Sequence, residues 1–392
     1  MARLEDIGKI ITGNTPKTSD VLNYSSNDIC FVKPSDISDG EITMLTDSEF
    51  YISEYARTKA QILPCKSILV TCIGIIGKVA INNVECAFNQ QINAIVPDTS
   101  KCLTEYLAYA IQNKQKEMQD IANAPVLPIL NKTQFSDIEI QLPSVESQAE
   151  VVKKMRAVDV MVSLRKQQLS KLDELVKSRF IEMFGDPIDN PKGLPVKTLK
   201  KLSTLITNGN TPKGGSENYV DKGILFLRSQ NVWRNRIELD DVAYIDDATH
   251  RSLKKSSLKH KDILITKTGR INTENSSLGR AALYLGDDDS ANINGHVYLV
   301  RLDGSVVPEY VVTILTSEAY RKYIRKVCVG GIDKRQINLD QVEDFPIILP
   351  PIDLQQQFAT FVERTDKSKA TIQKSLEKLE TLKKVLMQKY FG

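Results

Sequence analysis

The sequence is written twice, and that duplication constrains the fold more than any other feature. Gly13-Asn14-Thr15-Pro16-Lys17 returns as Gly209-Asn210-Thr211-Pro212-Lys213, an offset of 196. Phe31–Ile37 is answered by Phe226–Val232, and Ile68-Leu69-Val70-Thr71 by Ile263-Leu264-Ile265-Thr266, both at 195. Gly77-Lys78-Val79-Ala80 is answered by Gly279-Arg280-Ala281-Ala282 at 202. From Leu142-Pro143 and Leu349-Pro350 to Phe184-Gly185 and Phe391-Gly392 the offset stays at 207. Order is preserved and the offset grows only by insertion. Chance similarity would explain the first match alone, but five collinear matches describe a duplicated unit of roughly 190–200 residues.

Each unit has a variable front and a constant back. Residues 144–184 and 352–391, the bodies of the backs, contain no Gly and no Pro and are rich in good helix formers. Pro143 and Pro350-Pro351 mark where each helix can begin. Gly185 and Gly392 stand where glycine commonly ends one. Alternating steps of four and three from Val151 pass through Val151, Met155, Val158, Val162, Arg165, Leu169, Leu172, Val176, Arg179 and Met183, eight apolar residues of ten. The same frame in the second copy passes through Phe358, Val362, Thr365, Lys369, Ile372, Leu376, Leu379, Lys383, Leu386 and Tyr390, seven of ten. Composition, at 41% hydrophobic, would supply about four. This is a heptad seam in each copy, on helices of about 40 residues and so roughly 60 Å. An ordinary amphipathic helix lying on its own domain would also carry an apolar stripe. Equal length and a shared frame favour the two helices pairing with each other.

The fronts read as mixed α and β. Phe31–Lys33, Ile68–Thr71, Val79–Ile81, Ile263–Thr266, Ala281–Leu285 and Val297–Val300 are short apolar runs bounded by Gly, Pro and Asp, as strands are. Leu103–Gln119 and Pro308–Val327 are expected to be helices. The fold expected is α+β: two mixed domains, 1–143 and 185–350, separated by two long antiparallel coiled-coil helices, 144–184 and 351–392. The whole is internally duplicated with pseudo-two-fold symmetry.

The chain of 392 residues is long enough to bury its cores without disulfide or metal staples. No run of 18 apolar residues suggests a membrane span. The first 20 residues hold Glu5, Asp6 and Asp20 and no apolar signal-peptide core. A cytoplasmic location and no membrane partner are expected. The six cysteines include no C-x-x-C pair, and the three histidines lie far from the cysteine-rich first third, so reduced, mostly buried thiols are expected rather than a metal site. The net charge of +3 is unevenly spread. Residues 1–143 carry 12 basic and 17 acidic side chains, whereas 185–350 carry 24 and 21. Charge alone therefore does not point to a nucleic acid.

Chemistry-bearing motifs are missing from the sequence. There is no G-x-x-x-x-G-K-[ST] phosphate loop, no G-x-G-x-x-G after a strand and no G-x-S-x-G. Asn190-Pro191-Lys192 does not fit the Asn-Pro-Pro-aromatic site of a DNA amino-methyltransferase, and Pro97-Asp98 has no Glu-x-Lys partner of nuclease type. The expectation is a non-enzyme. Two similar readers on rods suit a target with two half-sites, which differ because the fronts differ. The alternative is a coiled-coil interaction scaffold with two protein- or peptide-binding heads.

At this point the sequence resembles a family, the specificity subunit of type I restriction–modification systems. The resemblance rests on Ile7-Gly8-Lys9-Ile10-Ile11-Thr12-Gly13-Asn14-Thr15-Pro16, on the L-P-x-[VI]-x-x-Q segments Leu142–Gln148 and Leu349–Gln355, and on the endings Phe184-Gly185 and Phe391-Gly392. It covers essentially the whole chain. It implies two target-recognition domains, each reading one part of a split double-stranded DNA sequence. It implies helices that dock modification (methyltransferase) subunits, two of them, and a larger complex with ATP-dependent translocase/endonuclease (restriction) subunits. No cofactor is then expected in this chain; S-adenosylmethionine, ATP and Mg belong to the partners.

Base edges are read by Arg or Lys at guanine and by Asn or Gln at adenine. Equivalent loops carry such residues. They give as candidate DNA contacts Thr15, Lys17, Lys33, Ser35, Lys78, Asn89 and Gln90 in the first copy. In the second they give Thr211, Lys213, Arg228, Ser229, Gln230, Lys267, Thr268, Arg270, Arg280, Lys334 and Arg335. A solvated loop side chain is the alternative for each.

Overall fold

A computed structural model describes residues 1–122, 128–212, 214–273 and 275–392. The chain divides into two compact units, one of residues 1–167 with 373–392 and the other of residues 168–372. Each combines sheets, short helices and parts of both long helices.

In the first unit a five-stranded sheet runs in the order Gly8–Thr12, Ile92–Pro97, Ile68–Thr71, Val79–Asn82, Ile42–Leu45. Neighbours are antiparallel except the last pair, which is parallel. A second sheet runs Tyr51–Ile52, Ile29–Val32, Cys86–Phe88, Ile62–Leu63. In the second unit a four-stranded sheet runs Ser203–Asn208, Val297–Leu302, Ile263–Thr266, Ala281–Leu283, and a three-stranded one Ala243–Ile245, Ile224–Leu227, Ala291–Ile293. The two units thus share one strand order through four strands of one sheet and three of the other. The strands expected from apolar runs lie within a residue or two of these.

The expected helices over Leu103–Gln119 and Pro308–Val327 are each two helices. They are Thr104–Asn113 with Gln115–Ile121, and Pro308–Thr316 with Glu318–Val327. In the second pair the break is chemical. Ser317 is extended (φ −65°, ψ 155°) and its hydroxyl accepts from the Tyr320 N–H at 3.2 Å, capping a new helix. In the first pair the chain turns at Lys114 (ψ 6°) with neither Gly nor Pro to mark it.

The Gly- and Pro-free stretches form helices Val145–Phe184 and Ile352–Phe391. Along the four-three seam, Val151, Met155, Val158, Val176, Phe358, Val362 and Leu376 are buried, and Val162, Leu169, Leu172, Met183, Ile372, Leu379, Leu386 and Tyr390 are half-buried. Inside the first unit the two helical segments run antiparallel: Lys383 Nζ meets Asp159 at 2.7 Å, and Lys154 Nζ meets the Tyr390 hydroxyl at 3.4 Å. Inside the second, Lys369 Nζ meets Asp173 at 2.6 Å.

The same apolar seat holds a helix end in both units. The Phe391 ring lies 5.1 Å from Tyr106, and the Phe184 ring 5.0 Å from Tyr310. Each tyrosine donates to a backbone carbonyl, Tyr106 to Gln141 at 3.1 Å and Tyr310 to Ile348 at 2.9 Å. At the other end of each helix sits a buried glutamine. Gln148 accepts from the Leu103 N–H (2.8 Å) and donates to Lys101 O (3.1 Å) and Pro143 O (2.9 Å). Gln355 accepts from the Val307 N–H (3.1 Å) and donates to Pro350 O (2.8 Å). These are the glutamines of the two L-P-x-[VI]-x-x-Q segments. They fasten helix to domain by satisfying backbone groups that burial would otherwise strand.

Candidate nucleic-acid interface

In each unit three loops meet at one end of the main sheet. The Gly-Asn-Thr-Pro turn comes first. A Cβ on Gly13 would lie 2.2 Å from Asn89 O, and one on Gly209 would lie 2.0 Å from Ile293 O. Only glycine lets these backbones touch. Gly13 N–H donates to Ile92 O (3.2 Å) and Gly209 N–H to Val297 O (3.0 Å). The second loop is turned by a buried asparagine. Asn89 Oδ1 accepts from the Gln91 N–H and Asn294 Oδ1 from the His296 N–H, both at 3.1 Å. The third loop is stitched to the second, Cys72 N–H to Gln91 O and Lys267 N–H to His296 O, both 2.8 Å. The repeat is therefore structural down to single hydrogen bonds.

On this rigid frame stand exposed polar side chains. In the first unit Thr15 donates to Gln90 Oε1 at 2.6 Å, and Thr15, Lys17 and Gln90 are exposed. In the second, Thr211 is exposed and Lys213 lies outside the described residues. Beside the loops the second unit carries a three-stranded ribbon in the order Thr268–Arg270, Lys334–Gln336, Val329–Gly330. At the same place in the first unit, Ile73 and Ile129 form a single bridge.

The comparisons with known proteins agree with one another. Residues 1–174 match a model of the type I restriction modification DNA specificity domain. The MjaIX type I restriction enzyme specificity subunit of Methanocaldococcus jannaschii is 25% identical over 99% of this chain and 91% of its own. Over almost its whole length the chain is thus similar to a type I specificity subunit. The HindI specificity subunit of Haemophilus influenzae is 32% identical over a shorter stretch, 46% of this chain and 40% of its own. In fold, the chain resembles the crystal structure of a type I restriction–modification system S subunit from M. genitalium. That likeness has a TM-score of 0.58 at 12% identity and covers 100% of this chain and 95% of that one.

Several residues singled out from the sequence are engaged in holding their own unit together. Lys78 Nζ donates to Pro34 O (2.9 Å) and Ile37 O (2.7 Å). Its ammonium closes a loop. Arg280 is 8% exposed, donates from Nε to Ser276 O at 3.0 Å and lies 3.8 Å over the Trp233 ring. Burial, with Arg234 adding to it, weakens its hold on its proton. Asn89 is the buried turn-former described above. Arg228 donates to Asp241 Oδ1 at 2.8 Å, and Gln230 donates to the same carboxylate. Lys33 lies 3.1 Å over the Phe50 ring, while Ser35 beside it is exposed and Ser229 half-buried. Lys267 and Thr268 are half-buried; Arg270 and Lys334 are exposed; Arg335 donates to Gly331 O at 3.2 Å.

A basic hairpin escaped the sequence reading. Val232–Trp233 pairs with Arg236–Ile237 around Asn235 (φ +60°), whose N–H donates to Ala281 O at 2.8 Å. It places Trp233, Arg234 and Arg236 together. Asn235 in a left-handed turn between alternating residues was the available signal.

Among the described residues no group of His, Cys, Asp or Glu could hold a metal ion. Cys72, Cys86, Cys102 and Cys328 are buried, Cys30 is half-buried and Cys65 exposed. Burial pushes the Cys72 thiol up to about 11 and that of Cys86 to about 12, away from reactive thiolate character. No helix of the described residues is long and apolar enough to cross a membrane.

Proposed function

We propose that this chain selects the DNA sequence on which a type I restriction–modification complex acts, reading a split, asymmetric target with one half-site per recognition domain. Residues 1–143 and 185–350 are the two readers. The helices 144–184 and 351–392 act as spacers and as docking surfaces for modification subunits. The chain itself is non-catalytic; S-adenosylmethionine, ATP and Mg act in the modification and restriction subunits. The observation that carries this reading is the loop cluster that recurs on the same framework in both units, dressed with different exposed side chains. A common frame with variable dressing is what two independent readers of different half-sites require.

The test is a genome-wide map of methylated bases in the source cells with and without this gene, repeated with the modification subunits co-expressed. The expected result is loss of a motif made of two short defined blocks around a fixed undefined gap. An unchanged map under co-expression would reject the reading. Inserting one heptad into 144–184 should lengthen the gap; an unchanged gap would reject the spacer role.

A further inference from the structure

The ribbon of the second unit has a readable face. Arg270 pairs with Lys334 and Thr268 with Gln336, so these four side chains share one face of the antiparallel ladder. Arg270, Lys334 and Gln336 are exposed. The opposite face carries Gly269, whose Cβ would meet Leu278 N at 2.3 Å, and its partner Arg335, half-buried and donating to Gly331 O, so Gly269 is held against the unit's own backbone. At the turn, between Gly331 and Asp333, stands Ile332. It is 90% exposed, the most exposed large apolar side chain among the described residues. Asp333 pairs with Arg270 at 3.2 Å, and among the described residues no carboxylate pairs with Lys334 beside the tip.

We propose that this ribbon enters the major groove of the second half-site, with Lys334 reading guanine and Ile332 resting on a thymine methyl group. The inference rests on the DNA-reading role proposed above. The groove admits a two-stranded β-ribbon, and its code includes guanine O6 and N7 acceptors and the thymine C5-methyl. A cationic face beside an apolar tip matches a guanine next to a thymine. The equivalent stretch of the first unit, Asn123–Leu130, carries no charged residue in its sequence, so the device belongs to one half-site only.

The test uses the full chain co-produced with its modification subunits, and duplexes in which each thymine of the second half-site is replaced in turn by uracil. One replacement should weaken binding about fourfold, as loss of one buried methyl does. Ile332→Ser should weaken binding to the thymine duplex by a similar factor and be indifferent to uracil at that position. Ile332 is on the surface, so the variant should fold, and the uracil scan needs no variant. A second half-site without thymine, a silent scan, or an Ile332→Ser complex that still responds to uracil would overturn the proposal. If the unaltered complex fails to prefer its motif over scrambled DNA, the DNA-reading role itself falls. Motif preference with a silent scan removes the ribbon alone.

Discussion

The two units are alike inside and unlike outside. Both have the same strand order, glycines against the same carbonyls, asparagines turning the same loop and a phenylalanine seated on the same tyrosine. Their outer edges diverge. The first unit adds the parallel strand Ile42–Leu45 beside Val79–Asn82. In the second, the hairpin Val232–Ile237 is bonded beside Ala281 instead. The first offers Thr15, Lys17 and Gln90; the second offers Arg270, Lys334 and a tryptophan flanked by Arg280 and Arg236. Buried backbone bonds and close-packed apolar contacts tolerate little change, because each lost group costs the fold directly. Exposed loop side chains carry no such constraint, so they are free to differ with the target.

The largest effect should come from exchanging one surface while keeping the other. Replacing residues 1–143 by the recognition domain of a type I specificity subunit should change one half of the methylated motif completely and leave the other intact. A change in both halves would show that the units do not read independently.

Next in size is the shared seat. Phe391→Ala and Phe184→Ala should each destabilise the chain by about 3–5 kcal/mol, the range for deleting a buried ring. Phe184 also packs edge-on against Phe180 (5.1 Å) and Phe358 (5.6 Å), so its loss should be the greater in denaturant unfolding. Equal losses would mean that Tyr106 and Tyr310 alone set the seat. The glutamines rank below. Gln148→Ala leaves one N–H and two carbonyls in need of partners, Gln355→Ala one of each, at about 1–3 kcal/mol per unsatisfied buried group. Gln148→Ala should therefore cost more, and the reverse order would show that water reaches its site.

What was legible in the sequence follows the same division. Period and punctuation are properties of the backbone, so the strands around Ile68–Thr71 and Ile263–Thr266 and the long Gly- and Pro-free helices could be read directly. The break at Lys114 could not, because no residue there forbids a helix and tertiary packing decides it. The site was legible only as loops. Lys78 and Arg280 look like Lys17 and Arg270 in a sequence. Whether a cation faces water or a backbone carbonyl depends on segments far along the chain, as Pro34 and Ile37 are from Lys78, 44 and 41 residues away. Trp233, Arg234 and Arg236 were missed because a two-residue hairpin arm leaves almost no periodic signal.

A smaller effect is expected in alkali. Burial raises the Tyr106 hydroxyl to about 12 and raises Tyr310 as well. The unfolded chain, with tyrosines near 10, loses these protons first. Above pH 10 the unfolded state therefore binds fewer protons, and stability, complete below pH 10, declines as pH rises toward 12. Tyr106→Phe removes one such group, so the decline in unfolding midpoint between pH 10 and 12 should become shallower. An unchanged slope would mean that the ring is not buried in solution.

The smallest effect separates the two kinds of lysine. The Lys17 side chain is exposed on the loop cluster, whereas the Lys78 ammonium is bonded to two carbonyls. If the cluster lies along a phosphate backbone, Lys17→Ala should lower the slope of log affinity against log salt by about one and weaken binding evenly across sequences. Lys78→Ala should leave that slope alone and lower stability, because Pro34 O and Ile37 O lose their donor. The two readouts differ in kind, so they cannot be confused with general loss of fold. A reduced salt slope for Lys78→Ala would mean that its loop opens on DNA, and the distinction between inner and outer cations would then hold only for the free protein.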